Sequence, residues 1–284
     1  MTEPRSILIT AGELAEELDS PNPPVVLDVR WALGDPDGHR HYIAGHVPGA
    51  AFVDLDAELA AEPSALEGRH PIPDPGDLQD AARRWGVRNG SAVVVYDDAG
   101  NLAAARAWWL LRWGGVADVR LLDGGLKAWR EEGRRLESGP APEVPAGDVV
   151  IEPGHLPTLT ADEAAAFPGD GVLLDARAAE RYRGEAEPID PRAGHIPAAL
   201  SAPTGDNLAA DGRFRSPAEL ADRFRALGAE PGRPVAVYCG SGVTAAHEVA
   251  ALALAGVDAA LYPGSWSQWS ADPSRPVATG SDHP

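Results

Sequence analysis

The stretch "VYCGSGVTAAHEVAAL" at 237–252 holds the single cysteine of the chain, Cys239. An apolar run, "RPVAVY", leads into it. Gly240, Ser241, Gly242, Val243 and Thr244 follow, ahead of an alanine-rich helical pattern. The pattern predicts a strand ending at Tyr238, a short loop, and a helix beginning near Thr244. Ligands bind beyond the carboxyl ends of strands in open α/β sheets. Gly240 and Gly242 permit backbone angles that other residues resist. A loop curling into a helix turns several N–H groups inward and makes an anion nest. Such a nest, backed by the helix dipole, favours a charged sulfur. Ser241 and Thr244 add hydroxyl donors.

Three chemistries use a cysteine cradled in this way. A thiol phosphatase carries an arginine six positions after the cysteine to clamp phosphate through two hydrogen bonds. Here that position is Ala245 and its neighbour is Ala246, which argues against phosphate. A cysteine hydrolase needs an imidazole base and an oxyanion hole. His247 is nearby in sequence, but it reads as a surface residue of the following helix. The third chemistry is sulfur transfer, in which a thiolate takes a sulfur from a donor and passes it on from a persulfide. It requires one cysteine, an anion nest and a cationic grip on the donor. It requires no metal, no cofactor and no second cysteine.

The elements that must position this loop are written twice. "VVLDVRW" at 25–31 resembles "VLLDARA" at 172–178, and "AGHVPGA" at 44–50 resembles "AGHIPAA" at 193–199. "SAVVVYDDAGNLAAARAWWLLRWGGV" at 91–116 resembles "RPVAVYCGSGVTAAHEVAALALAGV" at 233–257, and "LLDGGLKAW" at 121–129 resembles "LYPGSWSQW" at 261–269. Four blocks in one order imply two homologous domains. Their expected extents are 1–140 and 151–284, with a linker at 141–150 overlapping the Pro/Gly-rich "ESGPAPEVPAGD" at 137–148. Thr10/Glu13, Thr160/Glu163 and Ser216/Glu219 each form the Thr/Ser-x-x-Glu signature of a helix start. "VVVY" and "VAVY" are short, apolar and β-branched, as buried parallel strands are. Strands alternating with helices predict an α/β fold, with a central parallel sheet flanked by helices in each domain.

Composition excludes several classes. The 284 residues are 44% hydrophobic and 24% charged, with a formal net charge of −19. That charge repels phosphate backbones and argues against nucleic-acid binding. No apolar run approaches the ~20 residues of a membrane span, and the N-terminus lacks a signal-peptide layout. A cytoplasmic protein is expected. One cysteine rules out an internal disulfide and any multi-cysteine metal site.

At these motifs the chain resembles the two-domain rhodaneses, the thiosulfate and 3-mercaptopyruvate sulfurtransferases. "LDVRW", "GHVPGA", "LDGGLKAW", "LDARAAERYRG", "GHIPAA", "YCGSGVTA" and "PGSWSQW" carry the resemblance over nearly the whole chain. It implies two tandem rhodanese-like domains, the second catalytic through a Cys239 persulfide and the first an inactive copy that walls the site. Asp97 stands where Cys239 stands in the second copy, and an acidic turn is neither a nucleophile nor a welcome for an anion. The resemblance also implies that Arg181 in "RYRG" grips the donor, with Arg183 as the weaker candidate. It places Asp175 and Glu187 near the site. The backbone of Gly240, Gly242, Val243 and Thr244 completes the substrate-binding set.

The donor is left between two. A Cys-Gly-Ser-Gly-Val-Thr loop resembles that of the mercaptopyruvate members, whose donor has one carboxylate and a thiol proton to lose. Ser241 would relay that proton, backed by His46 in "GHVPGA" and by Asp35 or Asp37. Against this, family members specific for mercaptopyruvate carry an arginine where Ile189 stands in "EPIDPRAGH", and Arg192 lies three residues further on. The recurrence of Gly-His-x-Pro at His46 and His195 is equally that of a turn in which the imidazole bonds backbone. "RHPIPDP" at 69–75 brings Arg69 and His70 into consideration beside a plain loop role. Trp31, Trp129, Trp266 and Trp269 read as packing residues, with Trp31 able to line the site. The expected partners are a small anionic sulfur donor and an acceptor that is cyanide, a thiol or thioredoxin. The chain is expected to be a monomer. The alternative function is a persulfide carrier serving a protein partner.

Overall fold

The computed structural model describes residues 6–140 and 143–281. Residues 1–5, 141–142 and 282–284, which include the start of the expected linker, lie outside the described residues. The chain divides into two compact units.

The first unit holds β1 (Leu8–Ile9), α1 (Ala11–Leu18), β2 (Val25–Asp28), α2 (Gly38–Ala44), β3 (Ala51–Phe52), α3 (Leu55–Glu58), α4 (Pro75–Arg84), β4 (Ala92–Tyr96), α5 (Ala104–Trp113), β5 (Asp118–Leu122) and α6 (Gly125–Glu131). Its strands form a parallel sheet in the order β1-β5-β4-β2-β3. The second unit holds α7 (Ala161–Ala166), β6 (Val172–Asp175), α8 (Ala179–Tyr182), β7 (Leu200–Ser201), α9 (Pro217–Ala226), β8 (Val235–Tyr238), α10 (Val243–Leu254), β9 (Ala260–Leu261) and α11 (Ser265–Ala271). Its sheet, also parallel, runs β7-β6-β8-β9. The isolated bridge between Thr158 and Leu261 stands where β1 pairs with β5 in the first unit.

The repeated motifs have a physical reason. Asp28 at the end of β2 is level with Tyr96 at the end of β4, and Asp175 of β6 is level with Tyr238 of β8. Both aspartates are fully buried. Each is paired with the arginine two residues on, at 2.5 Å for Arg30 and 2.6 Å for Arg177. Each arginine also donates to a glycine carbonyl ahead of the Gly-His turn, Gly45 at 2.9 Å and Gly194 at 2.7 Å. The two tyrosine hydroxyls accept from Val47 N and Ile196 N, the residues after each histidine. Leu-Asp-x-Arg, Gly-His-x-Pro and the strand-ending tyrosine are thus one lock per unit. Burial, with Asp175 beside it, pushes the Tyr238 hydroxyl well above the ordinary phenol range, so it stays a donor. Burial works against the Arg177 charge, but Asp175 and Glu187 outweigh it and hold the guanidinium above the ordinary arginine range.

All three helix-start signatures close as reciprocal capping boxes, at α1, α7 and α9. Trp129 lies in the first core with Leu14, Val94 and Leu122. Trp266 and Trp269 lie in the second with Leu173, Ala236 and Tyr262. Residues 143–150 pack on the first unit, where Gly147 N bonds Arg83 O at 2.8 Å and Asn89 N bonds Asp148 at 2.9 Å. The units do not follow chain order throughout. Ala60–Ile72 belongs to the second unit and Ala210–Phe214 to the first. Among the described residues no helix is long and apolar enough to cross a membrane.

Candidate functional site

Cys239 follows the last residue of β8 and lies at the foot of a loop that ends where α10 begins, at Val243. The thiol is almost enclosed, 1% exposed. Gly242 N approaches its Sγ at 3.1 Å. Gly242 has φ 82°, and a Cβ there would lie 2.5 Å from Pro263 O, so only glycine fits. The start of α11 ties the loop from below. Ser265 Oγ accepts from Cys239 N at 3.1 Å, Trp266 N donates to Cys239 O at 3.0 Å, and Ser267 N donates to Gly240 O at 2.9 Å. Ser265 itself has φ 53°, an unusual conformation for a serine, held by its hydroxyl bond to Tyr262 O at 2.9 Å. Val243 is packed in the core and Thr244 is half-buried on the first turn of α10.

Two guanidinium groups lie over the loop. A Cβ at position 240 would lie 3.1 Å from Arg69 Nη2 and 3.5 Å from Arg181 Nη1. Arg181 bonds Glu187 at 2.6 Å and Asp190 at 3.1 Å, and Arg69 pairs with the other oxygen of Asp190. Glu187 also reaches Arg177 at 3.4 Å. The Arg69 Nε–H is buried and has no acceptor among the described residues. Burial, the dominant effect, raises the Asp190 carboxyl above the ordinary aspartate range in spite of the two arginines. Arg183 turns away to Glu185 at 2.7 Å.

The hydroxyl of Ser241 meets Nδ1 of His70 at 2.7 Å. The segment that carries Arg69 and His70 is held in the second unit by Arg69 N on Ser267 Oγ at 3.1 Å and by a bond from the Gln268 side chain to Leu66 O.

Several expectations are corrected by this geometry. His46 is in the first unit, 1% exposed, with Nδ1 on Tyr42 O at 2.9 Å and its ring stacked on Tyr42. His195 repeats that arrangement on Tyr182. Both are turn residues, and the imidazole beside Ser241 is that of His70. Asp175 is fully buried in the lock with Arg177 and Tyr238, so it supports the site from beneath rather than facing a donor. Arg192 is spent on the end of α11, donating to the carbonyls of Trp269, Ser270, Asp272 and Arg275. His247 is buried rather than on the surface, with Nδ1 2.7 Å from Thr204 Oγ1. Asp35 and Asp37 gather with His41 in the first unit. Trp31 bonds Asp56 at 3.1 Å.

The counterpart loop of the first unit holds Asp97 at the position of Cys239. Asp97 accepts four backbone N–H bonds, from Ala99, Asn101, Ala103 and Ala104, at 2.7–3.0 Å. The nest is intact there and is filled by the chain's own carboxylate.

Asp190 and Ser265 went unmarked in the sequence. Asp190 was hidden because "EPIDPR" draws attention to the absent arginine at 189. For Arg69 and His70 a signal existed. "EGRH" at 67–70 has its counterpart in "DGRF" at 211–214, so the two halves differ there by a histidine.

Comparison with known proteins gives a consistent result. A family model described as "Rhodanese-like domain" matches residues 10–132 and 160–272. A Mycobacterium tuberculosis protein named for thiosulfate sulfurtransfer is 50% identical over 97% of this chain and 98% of its own. A Pseudomonas aeruginosa protein named for 3-mercaptopyruvate sulfurtransfer is 50% identical over 96% of this chain and 98% of its own. Both names are provisional. The crystal structure of SseA from Escherichia coli, described as a 3-mercaptopyruvate sulfotransferase with the rhodanese fold, superposes with a TM-score of 0.81 at 34% identity. That match covers 92% of this chain and 99% of SseA.

Proposed function

The chain belongs to the rhodanese family and is a sulfurtransferase, and on that premise we propose that it moves sulfur from 3-mercaptopyruvate through a Cys239 persulfide to cyanide or a thiol. The Cys239 sulfur attacks the donor's sulfur. The donor's C–S bond breaks, its electron pair stays on carbon, and the resulting pyruvate enolate takes up a proton. An acceptor nucleophile then attacks the outer sulfur, the S–S bond breaks, and the Cys239 thiolate is restored. With thiosulfate the first step breaks an S–S bond instead and sulfite leaves.

The observation that carries the choice of donor is the 2.7 Å contact between Ser241 and His70. Mercaptopyruvate brings a thiol proton that must be moved, and thiosulfate brings none. A hydroxyl–imidazole pair beside the nucleophile has work to do only for the first. Arg181 and Arg69 suit the donor's carboxylate, which a guanidinium can meet through two hydrogen bonds. The loop N–H groups suit the negative charge that develops as the C–S bond breaks.

The test is thiocyanate formation from cyanide, with the two donors compared at equal concentration. The wild type should give the larger kcat/KM with mercaptopyruvate, and Cys239→Ser should give no turnover while unfolding at the same temperature. A larger kcat/KM with thiosulfate would overturn the donor, and residual turnover in the serine variant would overturn the nucleophile.

A further inference from the structure

Asp190 stands between the two arginines that face the cysteine loop. Its side chain is 4% exposed, one oxygen on Arg69 and the other 3.1 Å from Arg181 Nη2. Glu187 fixes the segment by accepting from Asp190 N at 3.0 Å and Ile189 N at 3.2 Å. Three guanidiniums, Arg69, Arg177 and Arg181, therefore meet three carboxylates, Asp175, Glu187 and Asp190. The cluster has no formal net charge before a donor enters. The loop N–H groups and the start of α10 face the Cys239 sulfur, with Gly242 N at 3.1 Å, and offset the charge of its thiolate. One added negative charge can be met by the edges of Arg69 and Arg181 that face Gly240. A second charge would have no counter-ion beside these largely buried groups, which is costly. The charge of the whole chain, −19, adds to that cost.

We propose that Asp190 sets the charge of the donor this site accepts: by neutralising one of the two guanidiniums over Gly240 it selects a singly charged 2-oxo-carboxylate thiol over a dianion. The inference rests on sulfur transfer at Cys239 as its setting, and it is independent of which acceptor is used. Asp190 is a specificity-determining residue here because it changes what the arginines can bind without touching the sulfur that moves. Its replacement by asparagine keeps the size of the side chain and one oxygen and gives the cluster one net positive charge.

The experiment has a turnover arm and a binding arm. In the first, kcat/KM for thiosulfate and for 3-mercaptopyruvate is measured in the wild type and in Asp190→Asn. The thiosulfate-to-mercaptopyruvate ratio should rise by roughly tenfold or more in the variant, as expected for one unit of charge a few ångströms away. In the second, iodoacetamide alkylation of Cys239, the only cysteine, is timed with added sulfate or pyruvate. Pyruvate should protect the wild type at lower concentration than sulfate, and Asp190→Asn should narrow or reverse that order. Should the asparagine variant not fold, Arg69→Gln makes the cluster one charge more negative and should weaken sulfate protection more than pyruvate protection. A thiosulfate-to-mercaptopyruvate ratio or a sulfate-to-pyruvate order that does not move with the charge of the cluster overturns the proposal. A wild type that turns over neither donor overturns the sulfurtransfer reading alone, because the protection order still reports on Asp190.

Discussion

At the scale of single residues, the side chains divide by what surrounds them rather than by type. Two of the histidines, His46 and His195, sit in identical turns and bond backbone, while His70 meets a hydroxyl next to the cysteine. Cys239 was legible from the chemistry of its strand–loop–helix motif, whereas Arg181 and Glu187 were legible only through the resemblance of their motifs to the family's. The sequence made His46 attractive for the wrong reason, since Gly-His-x-Pro recurs wherever the Asp-Arg-Tyr lock recurs. The role proposed for His70 has a sharp consequence. Replacing it with glutamine keeps a polar partner near Ser241 but cannot carry a proton. The kcat with mercaptopyruvate should fall about a hundredfold, the lower range for loss of acid–base help. Turnover of thiosulfate should change by no more than a few-fold, because that donor has no proton to lose. Steady-state rates with the two donors check this, and an equal loss with both would mean that His70 only shapes the loop.

At the scale of elements, the two strand–loop–helix units are one design with two contents. In the first, the Asp97 carboxylate takes four N–H donors itself. In the second, a compact Cys-Gly-Ser-Gly turn holds the Cys239 sulfur, with Gly242 N 3.1 Å from its Sγ. The strands, the capping boxes and the repeat itself were legible because they rest on local rules of periodicity and helix-end bonding. The floor made by Ser265 and Ser267 was not, because it depends on how α11 meets the loop from some distance along the chain. Gly242 is where the turn is most constrained. Gly242→Ala places a Cβ against Pro263 O in a left-handed conformation. It should lower stability by about 1–3 kcal/mol and displace the N–H that faces Cys239 Sγ. Chemical denaturation measures the first effect, and a slower reaction of Cys239 with iodoacetamide measures the second. A variant with wild-type stability would show that the loop relaxes without strain.

At the scale of the whole chain, the exchanged segments account for what the repeat concealed. The segment 60–72 brings Arg69 and His70 to the unit that contains Cys239, and 210–214 brings Arg213 and Phe214 to the unit that contains Asp97. The nucleophile and the histidine thus differ between the halves together, but the two signals lie in opposite halves of the sequence. The net charge of −19 acts at the same scale. Its field repels both donors, and repels a dianion twice as strongly as a monoanion, while the arginine–carboxylate cluster offers no compensating net charge. Salt screens the long-range field and leaves the close contacts nearly unchanged, since the Debye length shortens from about 30 Å at 0.01 M to about 10 Å at 0.1 M. Raising ionic strength across that range should therefore increase the thiosulfate-to-mercaptopyruvate ratio of kcat/KM by about two- to three-fold. Rates at a series of sodium chloride concentrations, with chloride inhibition measured separately, test this. A ratio that falls with salt would mean that the local field of Arg69 and Arg181 outweighs the surface, and that the cluster is not neutral towards an approaching anion.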